Sequence, residues 1–118
     1  MKHRESEIQR CCVKWFRLRY SKLARLLFAV PNGGARSATE AKIMKAEGVL
    51  AGVSDLLLLY PSCGYHALCI EMKTEKGRQQ DTQKLFQQEV EKVGYRYVVC
   101  RSFDDFKDAI TNYLTNNS

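Results

Sequence analysis

Glu71 and Lys73 are the side chains of this chain whose types and spacing point most directly to chemistry. They lie in the stretch Ile70-Glu71-Met72-Lys73-Thr74, which closes the apolar run HALC. Strand side chains alternate, so both point to the face shared with Ala67 and Cys69. Upstream, VSDLLLLY carries Asp55 just after the Gly48-to-Gly52 segment, and Pro61-Ser62-Cys63-Gly64 separates it from YHALCIEMK. The two runs read as an antiparallel hairpin, apolar on both faces and therefore central in a sheet. Placing Asp55 opposite Glu71 pairs residue 60 with 66 and leaves an ordinary five-residue loop, Pro61 to Tyr65. Asp55, Glu71 and Lys73 then converge at one end of the sheet, and a slip of one residue would part them.

Two carboxylates held that close repel unless they are protonated or neutralised. A divalent cation such as Mg²⁺ meets the need, since it prefers hard oxygen ligands and is held by one or two carboxylates plus water and substrate phosphate. Such an ion polarises a phosphodiester and lowers the pKa of water, while a nearby lysine orients the attacking water or offsets charge developing on phosphate. A bare E-x-K is common as an exposed cross-strand pair. The apolar strand and the preceding VSDLLLL distinguish this one, because buried charges need partners. Gln83, Phe86, Val90 and Val93 share a helical face, which aims Gln83 at the sheet; an exposed first-turn Gln fits the same spacing. Glu5 and Gln9 are one helical turn apart and add a carboxylate beside the sheet. Glu7 competes with Glu5, since both precede the first core position, Ile8. Asn32 and Arg36 bracket the turn PNGGAR, where glycines permit close backbone approach and an arginine can clamp phosphate; a plain turn with a solvated arginine is the alternative.

The elements that must carry these residues follow from periodicity and turn chemistry. Ile8, Cys12, Trp15, Leu18 and Leu23 recur at helical spacing from about Glu5 to Leu26, with Lys and Arg between them, Lys14 and Arg17 included. This predicts an amphipathic helix with a basic outer face. LLFAV predicts a short strand ended by Pro31-Asn32-Gly33-Gly34. Ser37 with Glu40 signals a capped second helix that stops at Gly48. After the hairpin and the polar linker TEKGRQQD, a helix is expected from about Thr82 to Val93, ended by Gly94. YRYVVC reads as a strand. Ser102 with Asp105 opens a last helix that buries Phe106, Ile110 and Leu114. The order α-β-α-β-β-α-β-α implies an α/β fold, a mixed central sheet flanked by helices.

With 118 residues and neither repeats nor linkers, residues 1–118 are expected to form one domain. MKHRESEIQR lacks the apolar segment of a secretory signal, and no run is long enough to cross a bilayer, so a cytoplasmic, non-secreted location is expected. Five cysteines without metal-ligand spacing read as reduced thiols, and the isolated His3 and His66 receive no catalytic role. The net charge of +6 is uneven: residues 1–45 carry eleven Lys/Arg against three Glu, the remainder eight against ten acidic groups. Basic charge gathered in one part suits a polyanionic partner, nucleic acid before membrane; a solvated helix face is the other reading.

Read in order, ESEIQ, PNGGAR, EGVLAGVSDLLL, IEMK, a Gln on the next helix and GYRYVVC resemble the VRR-NUC (virus-type replication-repair nuclease) branch of the PD-(D/E)xK nucleases, nearly end to end. That family includes small stand-alone viral and bacterial proteins and the C-terminal domain of a Fanconi-associated repair nuclease. The resemblance implies a restriction-endonuclease-like fold and a Mg²⁺- or Mn²⁺-dependent endonuclease acting on DNA, often on branches such as four-way junctions or flaps. It implies a homodimer, and a bacterial or virus-infected host cell as the setting. Asp55, Glu71 and the Met72 carbonyl would be metal ligands, Lys73 the catalytic lysine, with Gln83 and Glu5 completing the site. Lys14, Arg17, Asn32 and Arg36 would contact DNA. A catalytically silent nucleic-acid-binding or scaffold module on the same fold is the rival expectation.

Overall fold

The computed structural model describes residues 2–31 and 37–115. Helix α1 spans Lys2–Arg19 and gives way to a short 3-10 helix, Ser21–Leu26, before strand β1, Leu27–Ala29. Helix α2, Ala38–Ala46, precedes strands β2, Leu56–Leu58, and β3, Leu68–Met72; helix α3, Asp81–Lys92, strand β4, Arg96–Cys100, and helix α4, Phe103–Thr115, follow. The expected α/β architecture with a mixed sheet flanked by helices is therefore present. The strands lie in the order β1-β2-β3-β4, antiparallel up to β3, with β4 parallel to β3 across the α3 connection.

Alternation along β3 divides its side chains between two environments. Leu68, Ile70 and Met72 join Leu56, Leu58 and Cys100 in a core closed by Cys12 and Phe16 of α1 and Phe106, Ile110 and Tyr113 of α4. The opposite face carries Cys69 and Glu71. It meets α3, where Phe86 packs edge-on against Tyr97 of β4. Both faces of β3 are covered, so all five of its residues are buried. That is the environment its unbroken apolar run anticipates.

The hairpin pairs Leu56 with Ile70 and Leu58 with Leu68, the register in which Asp55 faces Glu71. Its strands are shorter than VSDLLLLY and YHALCIEMK suggest. The loop tightens into a turn at Ser62-Cys63-Gly64-Tyr65, with paired backbone bonds between Ser62 and Tyr65 and φ of +55° and +83° at its two central residues. Such a left-handed pair suits the twist of a two-residue hairpin turn, and it is unusual for a cysteine to occupy the first position.

Helix α1 differs from expectation in length and phase. The last α-type bond runs from Tyr20 N–H to the Phe16 carbonyl, and Leu23 N–H already bonds one residue closer, to Tyr20. Tyr20 departs from helical geometry while its ring packs on Trp15 and Phe16, which ends α1 there. Leu18, expected in the core, is 75% exposed, and Phe16 is buried in its place. At about 100° per residue Leu18 stands roughly 240° round from Cys12, whereas Phe16 is one turn on. In α4, Phe106 and Ile110 are buried as expected, but Tyr113 rather than Leu114 is the third; Leu114 packs at the edge of the core.

The caps form as the sequence implies. Ser37 Oγ accepts from Glu40 N–H at 3.1 Å, and Ser102 Oγ accepts from Asp105 N–H at 3.0 Å. Gly94, just beyond α3, has φ of +98°, the left-handed geometry that lets a glycine end a helix. All five cysteines are free thiols: Cys12, Cys69 and Cys100 buried, Cys11 and Cys63 exposed. Burial pushes the thiols of Cys12 and Cys100 up to about 12, which keeps them protonated and unreactive at neutral pH.

Candidate active site

The site lies at the α3-facing end of β3. Glu71 is fully buried. Its Oε1 accepts two hydrogen bonds, from Tyr97 Oη at 2.5 Å and Gln79 Nε2 at 3.0 Å. Its Oε2 is buried without a hydrogen-bond partner and lies 3.6 Å from Lys73 Nζ. Lys73, 11% exposed at its side chain, is the cation of the pair, and its backbone N–H holds the Cys100 carbonyl, anchoring the end of β3 to β4.

Asp55 approaches from the β2 side. Its Oδ2 accepts from Met72 N–H at 2.7 Å, and its own carbonyl accepts from Val30 N–H, which ties the acid to β3 and to the strand that follows α1. Burial raises the Asp55 pKa first; the charges of Glu5 and Glu71 raise it further, against the opposing pull of Met72 N–H and Lys73. Two carboxylates, one of them with an orphaned buried oxygen, face one lysine, so the site carries an excess of negative charge. Burial likewise holds the Tyr97 phenol well above its ordinary range, with its bond to Glu71 the next cause, so Tyr97 stays a donor.

Asp55, Glu71 and Lys73 are thus brought together, and Met72 joins them through its backbone. Glu5 belongs to the same electrostatic neighbourhood, acting on Asp55 from half-buried α1, while Glu7 is exposed. Gln83 goes elsewhere. Its Oε1 accepts from Gln80 N–H at 2.7 Å, closing the start of α3 as a residue at that position commonly does. The glutamine that reaches Glu71 is Gln79, four residues earlier in the connecting segment, and Tyr97 reaches it from β4. Neither stood out in the sequence: Gln79 precedes the helical stripe, and Tyr97 meets Glu71 only through the parallel β3–β4 register. The polarity of RQQ beside an apolar strand is the one local signal for Gln79.

A shallow groove runs along α1 from Glu5 past Gln9, Arg10, Val13 and Lys14 to Arg17 and Leu18. Lys14 is exposed there. Arg17 instead donates to the carbonyls of Ala24 at 3.3 Å and Leu27 at 3.2 Å, bracing the 3-10 segment. Asn32 and Arg36 lie outside the described residues. Arg101, which the sequence did not single out, donates to the carbonyls of Thr74 and Gly77 at 2.9 and 2.5 Å and holds the turn after Lys73 against β4.

The donors fit a hard divalent cation. Two carboxylates act on one another, the outstanding oxygen of Glu71 is buried without a hydrogen bond, and the local charge is negative, which is what an ion taking one or two carboxylates requires. Among the described residues no three His, Cys, Asp or Glu side chains gather into a ready-made cage. An ion here would depend on backbone, water or substrate oxygens as well.

The α/β sheet thus ends in a buried Glu71 flanked by half-buried Asp55 and Lys73. Residues 3–104 match the VRR-NUC domain, so the chain belongs to the VRR-NUC family. It is also similar to a VRR-NUC domain protein of known structure, with 27% sequence identity and a TM-score of 0.85 over 97% of this chain and 90% of the other. Among curated proteins there is no match. Membership in the family implies nuclease-type activity with DNA as substrate. No helix among the described residues is long and apolar enough to cross a membrane.

Proposed function

We propose that this protein is a Mg²⁺- or Mn²⁺-dependent endodeoxyribonuclease that cuts branched DNA, four-way junctions foremost, by hydrolysis of a phosphodiester. The observation that carries the reading is the buried Glu71 carboxylate, with one oxygen satisfied twice and the other bare beside Lys73 and Asp55. A residue kept only for stability would have both oxygens hydrogen-bonded, because a buried acceptor without a donor is costly.

Asp55 and Glu71 would hold the ion, with the Met72 carbonyl and Glu5 as further oxygen donors. When bound, the ion supplies positive charge that polarises the scissile phosphodiester and makes water more acidic at the site. Lys73, an ammonium with donors only, orients the attacking water or offsets charge developing on the phosphate. The low exposure of Glu71 and Lys73 keeps their interactions in a poorly screened environment, where they act more strongly than in bulk water. Exposed basic residues along the α1 groove, Lys14 among them, contact the DNA backbone without reading sequence. Asn32 and Arg36 are assigned to the same task on the strength of the PNGGAR turn. Resemblance to junction resolvases supports a homodimer, since a four-way junction presents two symmetric strands.

Cleavage of four-way junction, flap, splayed arm, duplex and single strand, with and without Mg²⁺ or Mn²⁺, tests the reading. Metal-dependent cutting that favours the branched substrates is expected. Lys73→Ala should lower it by roughly 10²–10³-fold, with junction binding held within a few-fold. Failure of every substrate with either metal would leave the silent binding module as the function.

A further inference from the structure

A carboxylate that ligates through one oxygen must be kept from turning the other way. Glu71 has the means. Both side-chain hydrogen bonds that it accepts converge on Oε1, from Tyr97 Oη of β4 and Gln79 Nε2 of the segment between β3 and α3. Their positions are themselves fixed. The parallel register pairs Tyr97 with Cys69, two residues before Glu71 and on the same face, so the phenol reaches diagonally to the carboxylate. Phe86 of α3 holds the ring edge-on, with centroids 6.3 Å apart. The second hydrogen of the Gln79 amide goes to Gln87 Oε1 at 2.9 Å, and Gln87 in turn donates to Glu91 Oε2 at 3.2 Å. Gln79 therefore spends both amide hydrogens, one on Glu71 and one on α3.

We propose that Tyr97 and Gln79 are positioning residues for metal binding: together they clamp Oε1 of Glu71 and so present Oε2 to the ion. The proposal rests on reading Glu71 as a metal ligand. Neither residue is a catalytic group, because both act through Glu71, and Tyr97, 4% exposed, is closed off from substrate. The asymmetry points to orientation rather than stability. Two hydrogen bonds on one oxygen, with only the Lys73 ammonium 3.6 Å from the other, fix the carboxylate's direction while leaving its ligating atom free of hydrogen bonds. Partners of this kind, one bond behind a metal ligand, typically change metal affinity by about 10–100-fold.

The test is direct Mn²⁺ binding to the purified protein, by electron paramagnetic resonance or calorimetry, for wild type, Tyr97→Phe, Gln79→Met and Glu71→Gln. A second readout is junction cleavage against Mn²⁺ concentration. Tyr97→Phe keeps the ring that Phe86 packs on and removes only the hydroxyl. It should weaken Mn²⁺ binding by about 10-fold, shift the metal concentration for half-maximal cleavage by the same factor, and regain activity as Mn²⁺ is raised. Glu71→Gln should not be rescued in this way. Gln79→Met, at a half-buried position in a partly exposed connecting segment, should behave like Tyr97→Phe and carries the test if Tyr97→Phe does not fold. Folded Tyr97→Phe and Gln79→Met that bind Mn²⁺ as wild type does, while Glu71→Gln binds less, overturn the clamp alone. Absence of Mn²⁺ binding in wild type, or binding indifferent to Glu71→Gln, overturns the ligand reading and the clamp with it.

Discussion

Burial of half-buried Asp55, with Glu5 and Glu71 acting on it, raises its pKa, and Met72 N–H and Lys73 only partly compensate. A carboxyl whose folded pKa is raised above its unfolded value binds its proton more tightly in the native state. Its contribution to stability is therefore most favourable below the ordinary Asp range, and is lost as pH rises from there through the raised folded value. Asn in its place keeps an oxygen for Met72 N–H and sheds the charge. Metal-free Asp55→Asn should thus melt higher than wild type at pH 7, and the two should converge as pH falls below the ordinary carboxylate range. Added Mn²⁺ should reverse the order at pH 7, because a ligand that binds only the native state stabilises by mass action and the variant has lost an oxygen donor for it. Thermal melts across pH, with chelator and with Mn²⁺, check both parts. At this scale the sequence was informative wherever short-range geometry decides. Two-residue alternation and the hairpin count place Asp55, Glu71 and Lys73 on one face. Gln79 and Tyr97 are set by the path of the connecting segment and by a non-local parallel register, neither of which leaves a local pattern, and helical spacing alone directed attention to Gln83.

The elements meet the site at the start of α3. Gly52, three residues before Asp55, has φ of +92°, and a Cβ there would lie 2.4 Å from the Thr82 carbonyl oxygen in the first turn of α3. The segment leading into β2 and the helix carrying Phe86 and Gln87 are thus packed backbone to backbone. Gly48, with φ of +106°, faces open space. Gly48→Ala should cost only the left-handed backbone penalty, about 1–2 kcal/mol. Gly52→Ala adds a clash with main chain, so its loss of stability should exceed that of Gly48→Ala. It should also reduce cleavage beyond what the stability loss explains, by displacing Asp55 from Met72. Urea denaturation of both variants and of wild type measures the difference. Helix boundaries were legible where capping chemistry is local, as at Ser37, Ser102 and Gly94. The end of α1 was not, because Ile8, Cys12, Trp15, Leu18 and Leu23 continue an apolar rhythm beyond Arg19, and the ring packing of Tyr20 with Trp15 and Phe16 decides where the α-helix stops. Helix α2 buries none of its residues and leaves Ile43 53% exposed, despite a clean N-cap at Ser37.

For the whole molecule the deciding quantity is where its charge lies. The excess of basic residues falls in the N-terminal part, and α1 carries it along a groove that begins at Glu5, beside the acidic site. A DNA backbone following that groove meets cations away from the site and a negative centre at it, so attraction along the helix has to outweigh repulsion at the carboxylates until a divalent ion offsets them. Binding in chelator should therefore be weaker than in Ca²⁺ and should fall steeply with salt, in proportion to the phosphates neutralised. Two neighbouring basic residues divide this role in a measurable way. Lys14 is exposed and forms no ion pair among the described residues, whereas the Arg17 guanidinium is committed to the Ala24 and Leu27 carbonyls. Lys14→Ala should leave the melting temperature unchanged and reduce the slope of log K against log salt by about 1. Arg17→Ala should lower the melting temperature by releasing the 3-10 segment that leads into β1, and should change the salt slope less. Fluorescence anisotropy of a labelled junction over a salt series, beside thermal melts of the same variants, separates the two; a slope that Lys14→Ala leaves untouched would remove α1 from the DNA-binding surface.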